Sequence, residues 1–234
     1  MRASHYLALA GLELDQPERA DQQAEALNAL RGEVPAERDA LYRFQVPELG
    51  EGGACSLFGQ LAEEPYDLRP ILGGESAAND QLLADLNAAA EQLTGQTGVD
   101  WLGLYARRTN PQGEEVLVKL AYRGAPSRAE FPLNPEFATI SNNSTVGLSG
   151  KGRLIQSVAD YLAQGGEYYT CDPKVQAELC IPLFDKQDRV IGILDAEAFT
   201  ANFFDPSRLA ALVGLALWTQ QRLSNPSTST DTAD

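Results

Sequence analysis

Apolar positions recur at helical spacing near residue 80 and again near residue 210, and between these two stretches they fall into short strand-like runs. Over residues 79–94, Leu82, Leu83, Leu86, Ala89, Ala90 and Leu93 line one side of a helix that Gly95 and Gly98 stop. Residues 101–106 (WLGLYA) and 115–122 (EVLVKLAY) then form two runs across the turn Asn110-Pro111-Gln112-Gly113, a hairpin pattern. A second hairpin joins the apolar run 177–184 to 189–196 through the polar turn 185–188. Asp205-Pro206 supplies an N-cap and a first-turn proline for a final helix over 209–223, apolar at Leu209, Leu212, Val213, Ala216 and Leu217.

The segments between and before these elements are less regular. Residues 123–143 contain Gly124, Pro126, Pro132 and Pro135 and are expected to be a long loop. Residues 145–152 (TVGLSGKG) predict a glycine-rich turn, and 153–163 a short helix. The glycine spacing and the missing Lys-Ser/Thr ending exclude a phosphate-binding loop there. Upstream, 16–30 predicts a helix closed by Gly32, and 35–44 a second with Pro35 in its first turn. Residues 47–74 are rich in Gly, Pro and Glu and predict a loop, or a segment wrapped over something. The expected fold is α+β: an antiparallel sheet with the terminal helices packed together on one face and a pocket on the other, covered by 123–170. The division is an N-terminal helical and irregular extension (1–75), a main domain (76–224) and a disordered tail (225–234).

Composition narrows the partners. The formal charge is −15, from 33 acidic against 18 basic residues, so there is no basic surplus for nucleic acid or an anionic membrane. No apolar run is long enough to span a bilayer, and the N-terminus has a poor cleavage-site pattern for a signal peptide. Three cysteines at irregular spacing do not make a disulfide scaffold and fit a reducing cytoplasm. The single histidine, His5, is expected on the surface near a frayed end. With no CxxC and no second histidine, the sequence offers neither a metal site nor a Ser-His or Cys-His dyad.

The candidate chemistry lies in 168–197. Period two on the first strand of the second hairpin puts Glu178 and Cys180 on one face and Leu179, Ile181 and Leu183 on the other. On the second strand Asp195 and Glu197 share a face. Three carboxylates then converge on one concave side, with Cys171 just upstream. Burying them is costly unless something cationic or protonated sits there. The plainer readings are a polar residue before an apolar strand for Glu178, a small core residue for Cys180, and a packed loop residue for Cys55.

The landmarks resemble a GAF domain, and more narrowly the GAF-fold enzymes that reduce free methionine-(R)-sulfoxide. Trp101-Leu102-Gly103-Leu104-Tyr105 is similar to the family's W-x-G-[FY]-Y strand. Cys171-Asp172, with Glu178 seven residues after the cysteine and Pro182-Leu183 at the strand end, resembles its Cys-Asp segment. Gly192-Ile193-Leu194-Asp195-Ala196-Glu197 resembles its last strand, and Phe203-Phe204-Asp205 its segment before the final helix. The resemblance covers about residues 78–223. Ser149 stands where the family has a resolving cysteine, Arg128 falls near a further family cysteine, and Val175 and Ala177 replace serines.

The resemblance implies Cys171 as nucleophile on sulfoxide sulfur and one of Glu178, Asp195 and Glu197 as proton donor. The other acids would hold a substrate ammonium, with Trp101, Tyr105 and Asp172 also at the substrate. Cys180, about 6–7 Å beyond Glu178 along the strand, is the substitute for the missing resolving thiol. It further implies a small-molecule ligand, no cofactor, thioredoxin or another thiol as reductant, and a homodimer through the end helices. The competing readings are a non-catalytic sensor of a small amine or amino acid, and a structural or dimerisation module whose pocket its own N-terminal segment fills.

Overall fold

A computed structural model describes residues 1–50, 56–166, 168 and 172–224. The predicted tail 225–234 lies outside these, as do Cys55 and Cys171. The elements run α1 (Ala3–Ala10), α2 (Pro17–Ala26), a 3₁₀ turn (Leu27–Ala29), α3 (Asp39–Tyr42), β1 (Arg43–Phe44), β2 (Pro47–Leu49), β3 (Ser56–Leu61), β4 (Tyr66–Asp67), α4 (Arg69–Leu72) and α5 (Ala77–Thr97). They continue with β5 (Trp101–Thr109), β6 (Glu115–Arg123), β7 (Glu130–Pro132), α6 (Pro135–Ala138), α7 (Asn142–Ser149), β8 (Arg153–Ile155), α8 (Val158–Ala163), β9 (Ala177–Phe184), β10 (Val190–Ala198) and α9 (Pro206–Ser224).

Both expected hairpins form, and they join through β5 and β10 into one antiparallel sheet of order β7-β6-β5-β10-β9-β8. The helix-side residues of β9 and β10, Leu179, Ile181, Leu183, Leu194 and Ala196, are fully buried in the main core. There α5 lies on β5 and β6 and α9 on β9 and β10, in contact with each other, as the two amphipathic patterns require. Asp205 caps α9, its Oδ1 accepting from Arg208 N at 2.9 Å, and Ser76 Oγ caps α5 by accepting from Asn79 N at 3.1 Å. Gly95 does not stop α5; the helix runs through it and ends at Gly98, whose φ of 72° suits the left-handed cap.

The first 30 residues join this same layer. Ala3, Tyr6, Ala10, Ala20 and Leu27 have no exposed surface, and the Tyr6 hydroxyl donates to Pro182 O at 2.8 Å. Helix α2 packs along α9 at Gly214, where a Cβ would lie 2.6 Å from Gln23 Cβ. His5 is exposed and pairs with Asp188 at 3.2 Å, but it stands on a packed helix rather than a frayed end.

Other irregular stretches hold more structure than their patterns predict. Residues 35–44 give only the short α3 and then β1, which pairs with β4. Within 47–74, β2 pairs with β3. The expected loop 123–143 contains β7 and α6, and Pro132 is tolerated in β7 because that strand is a sheet edge. The expected glycine-rich turn at 145–152 is instead the end of α7. Its Gly147 serves packing: a Cβ there would lie 2.7 Å from Leu133 Cδ2 and 3.0 Å from Leu117 Cδ1. Only Gly150, at φ 65°, ends the helix. Residues 153–163 are split between β8, which adds to the edge of β9, and α8.

Candidate functional site

The non-helix face of the sheet carries the predicted acids in one cross-strand patch. Glu178 is directly opposite Glu197, and Cys180 opposite Asp195. Across the next pair, Glu197 faces Trp101, Asp195 faces Gly103 and Ile193 faces Tyr105. Alternation along each strand therefore puts the acids and the aromatic residues side by side. Gly103 makes room for the rings: a Cβ there would lie 2.2 Å from Trp101 Cη2 and 2.8 Å from Tyr105 Cε2. Trp101 is fixed by its indole N–H to Ala125 O at 3.0 Å, and Tyr105 meets Phe131 edge-on with centroids 5.5 Å apart.

Above this patch is a cavity of about 200 Å³. Trp101, Tyr105, Phe131 and Phe199 supply aromatic walls, and Asp172, Asp195 and Glu197 the acidic ones. Pro47 of β2 and Gly59, Gln60 and Leu61 of β3 close one side, so part of the N-terminal segment wraps over the site. Of the predicted residues, Trp101, Tyr105, Asp172, Asp195 and Glu197 line the cavity. Glu178 and Cys180 lie on the same sheet face but not on its wall. Cys171, adjacent in sequence to the wall residue Asp172, is outside the described residues. Ser149 is exposed at the end of α7, where its Oγ accepts from Lys151 N at 3.1 Å.

Helix α7 supplies partners that the sequence pattern did not reveal. Asn142 donates through Nδ2 to both Glu178 oxygens, at 3.2 and 3.1 Å, and its Oδ1 accepts from Arg153 Nη1 at 2.6 Å. Asn143 Nδ2 donates to Asp195 Oδ2 at 3.0 Å. Asp195 is 4% exposed, and among the described residues its other oxygen, Oδ1, is buried with no hydrogen-bond partner. An unpaired buried acceptor on a cavity wall carries a desolvation cost that a donor on a ligand would remove. Asn142 and Asn143 fall in a stretch without clear periodicity; the signal present was Ser141, an N-cap immediately ahead of them.

The sequence pattern did not mark Lys119 either, although it is one charge inside the apolar run EVLVKLAY. It has no exposed surface. Its Nζ donates to Ser127 O at 2.7 Å and Ser127 Oγ at 2.8 Å, and it lies 4.0 Å from the Tyr122 ring centroid and 4.9 Å from that of Phe44.

Electrostatics follow from this crowding. Burial, and then the neighbouring Glu178, push the Asp195 carboxyl well above its ordinary range. Burial, Asp195, Glu178 and Asp172 do the same to Glu197, partly offset by Lys119. Glu178 is raised by burial against the opposing pull of Tyr168, Asn142 and Arg153. The Tyr168 phenol and the Cys180 thiol are raised too, first by burial and then by these carboxylates, so Cys180 is held as a thiol. Burial and mutual repulsion thus favour the protonated form of these carboxyls more than in an ordinary Asp or Glu. Among the described residues no group of His, Cys, Asp and Glu is arranged to hold a metal ion, and no helix is long and apolar enough to cross a membrane.

Comparison with known proteins agrees with this architecture. The type II free methionine-R-sulfoxide reductase of Thermoplasma acidophilum is similar at a TM-score of 0.53 and 19% identity, over 64% of this chain and 96% of that one. The free methionine-R-sulfoxide reductase of Neisseria meningitidis, in complex with its substrate, is similar at 0.46 and 20%, over 61% and 81%. The GAF domain of an Acinetobacter phosphoenolpyruvate-protein phosphotransferase is similar at 0.47 and 12%, over 88% and 90%. At 19% identity the likeness to the Thermoplasma protein concerns the fold alone. No curated protein matches the chain. The sequence model of the GAF domain matches residues 81–223, more than half of the chain and the span from α5 through α9, and the chain belongs to the GAF domain family.

Proposed function

We propose that the cavity binds a small amine-bearing ligand of amino-acid size, and that Cys171 reduces the sulfoxide of free methionine-(R)-sulfoxide bound there. The observation that carries the binding reading is Asp195 on the wall of an acid-lined cavity, its buried Oδ1 without a partner among the described residues. A volume of about 200 Å³ is below the ~300–1,000 Å³ typical of drug-sized pockets and suits a small metabolite. The reduction reading rests on Cys171, adjacent in sequence to the wall residue Asp172, and on the raised carboxyls, which supply the proton the sulfoxide oxygen needs. The Cys171 sulfur attacks the sulfoxide sulfur, the oxygen passes to the thiol, and the products are methionine and a cysteine sulfenic acid. An external dithiol, such as thioredoxin, then returns the thiol, releasing water and becoming a disulfide.

A second reading, a sensor that binds without turnover, is favoured by Ser149 at the family's resolving position and by Cys180 held as a buried thiol. The test is reduction of free methionine-(R)-sulfoxide with dithiothreitol and with thioredoxin, for the parent and Cys171→Ser. Turnover that the variant loses supports the reductase. No turnover with either reductant, alongside measurable ligand binding, leaves the sensor.

A further inference from the structure

We propose that Lys174 recognises the carboxylate of the bound molecule, so that the cavity selects a free, zwitterionic amino acid over an amine that lacks this group. The proposal rests on the reading of this cavity as the ligand site and names the side chain that meets the ligand's second charge. Asp195 and Glu197 on the wall suit an ammonium. In an α-amino acid the carboxylate is borne on the same carbon as the ammonium, so its partner must stand close to those acids.

Phe199 follows Glu197 by two residues, just past the end of β10, and lines the same cavity. The Lys174 ammonium lies over the Phe199 ring, 5.5 Å from its centroid. The backbone that carries Lys174 is tied down on both sides. Its own N–H donates to Asp172 Oδ1 at 2.9 Å, that of Val175 to Asp172 O at 3.1 Å, and that of Gln176 to Ala198 O at 2.8 Å. A fixed base thus carries an exposed ammonium on a flexible stem beside the acid wall. Among the described residues Lys174 forms no ion pair. Two further cations near the wall are engaged elsewhere. Lys119 donates to Ser127, and Arg128, 5% exposed, donates to Glu130 O at 2.7 Å and lies on the faces of Phe131 and Phe137. Swinging Lys174 from the ring onto a ligand carboxylate exchanges a weak cation–π contact for a charge-assisted hydrogen bond.

The experiment is isothermal titration calorimetry of the full chain at pH 7.5 with L-methionine and 3-(methylthio)propylamine, which differ only in the carboxylate. The parent is expected to bind methionine at least tenfold more tightly than the amine. Lys174→Gln is expected to weaken methionine about tenfold and leave the amine within twofold, and Lys174→Arg to keep most of the methionine affinity. Lys174 is exposed, so both variants should fold as the parent does. A parent that binds the amine as tightly as methionine overturns the inference and leaves the ligand site in place. So does a Lys174→Gln variant that keeps the parent's preference, or one that weakens both probes alike, which is what a purely structural contact with Phe199 would give. No binding of either probe overturns the reading of the cavity as well.

Discussion

Strands β9 and β10 present two faces to two different interiors. On the helix side, Leu179, Ile181, Leu183, Leu194 and Ala196 are apolar, fully buried and covered by helix. One residue along the same strands, Glu178, Cys180, Asp195 and Glu197 form a patch that is also largely covered yet carries three carboxyls. Backbone, hydrogen-bond ladder and burial are nearly the same on both sides. The difference is that the first face lowers the free energy of the fold by removing apolar surface from water, whereas the second carries acids whose desolvation costs free energy that the hydrogen bonds from Asn142 and Asn143 offset only in part. Polarity retained under burial is what separates a site from a core here.

The sharpest way to break that comparison is to damage the helix face. Leu194→Ala deletes a fully buried side chain and is expected to lower stability by about 2–5 kcal/mol in urea unfolding, with ligand affinity changed less than twofold. A comparable loss of affinity would show that the two faces are not separable. Gly103→Ala acts on the other face and is expected to cost less, about 1–3 kcal/mol, because the Trp101 and Tyr105 rings must shift to admit the methyl group. Here affinity should fall along with stability. An Ala variant with parental affinity would show that the ring positions do not shape the cavity.

The two faces were not equally legible in the sequence. Alternation predicted which of Leu179, Cys180 and Ile181 point together, and the pairing of β9 with β10 brought Glu178, Asp195 and Glu197 onto one side, because both follow from the two-residue period of a strand. Helices α5 and α9 were equally plain, since their apolar positions recur at a single period. The cover of the site was not. Asn142 and Asn143 sit on α7, a two-turn helix containing a glycine that the sequence pattern assigns to a turn. Gly147 is there because Leu133 and Leu117 come close, a tertiary reason with no local signature. Likewise β7 and β8 are three-residue edge strands, too short to show a period, and β7 ends in a proline. The wall contributed by Pro47, Gly59, Gln60 and Leu61 comes from a segment whose Gly- and Pro-rich composition reads as loop; its place beside Trp101 depends on contacts between residues far apart in the chain.

The smallest expected effect is a pH dependence, and it belongs to the acid face alone. Unfolded Asp and Glu titrate near ~3.9 and ~4.3. In the folded chain burial and mutual repulsion raise Asp195 and Glu197 well above those values, and burial raises Glu178. Between pH 4 and the folded values the native state therefore binds more protons than the unfolded state, and stability falls as pH rises. Asp67 and Asp185 work in the opposite sense. Burial alone would raise them, but hydrogen bonds from Arg69 and Arg189 hold them low, so their contribution is lost only as pH falls below about 4. Across pH 5 to pH 8 the parent should therefore lose about 1–2 kcal/mol in urea unfolding. Asp195→Asn removes one of the three carboxyls while keeping an acceptor for Asn143, and so should flatten the slope: little change at pH 5 and a gain of about 1 kcal/mol at pH 8. A parent more stable at pH 8 than at pH 5 would mean that Lys119 and Arg153 already compensate the ionised acids, and that the second face costs the fold nothing to maintain.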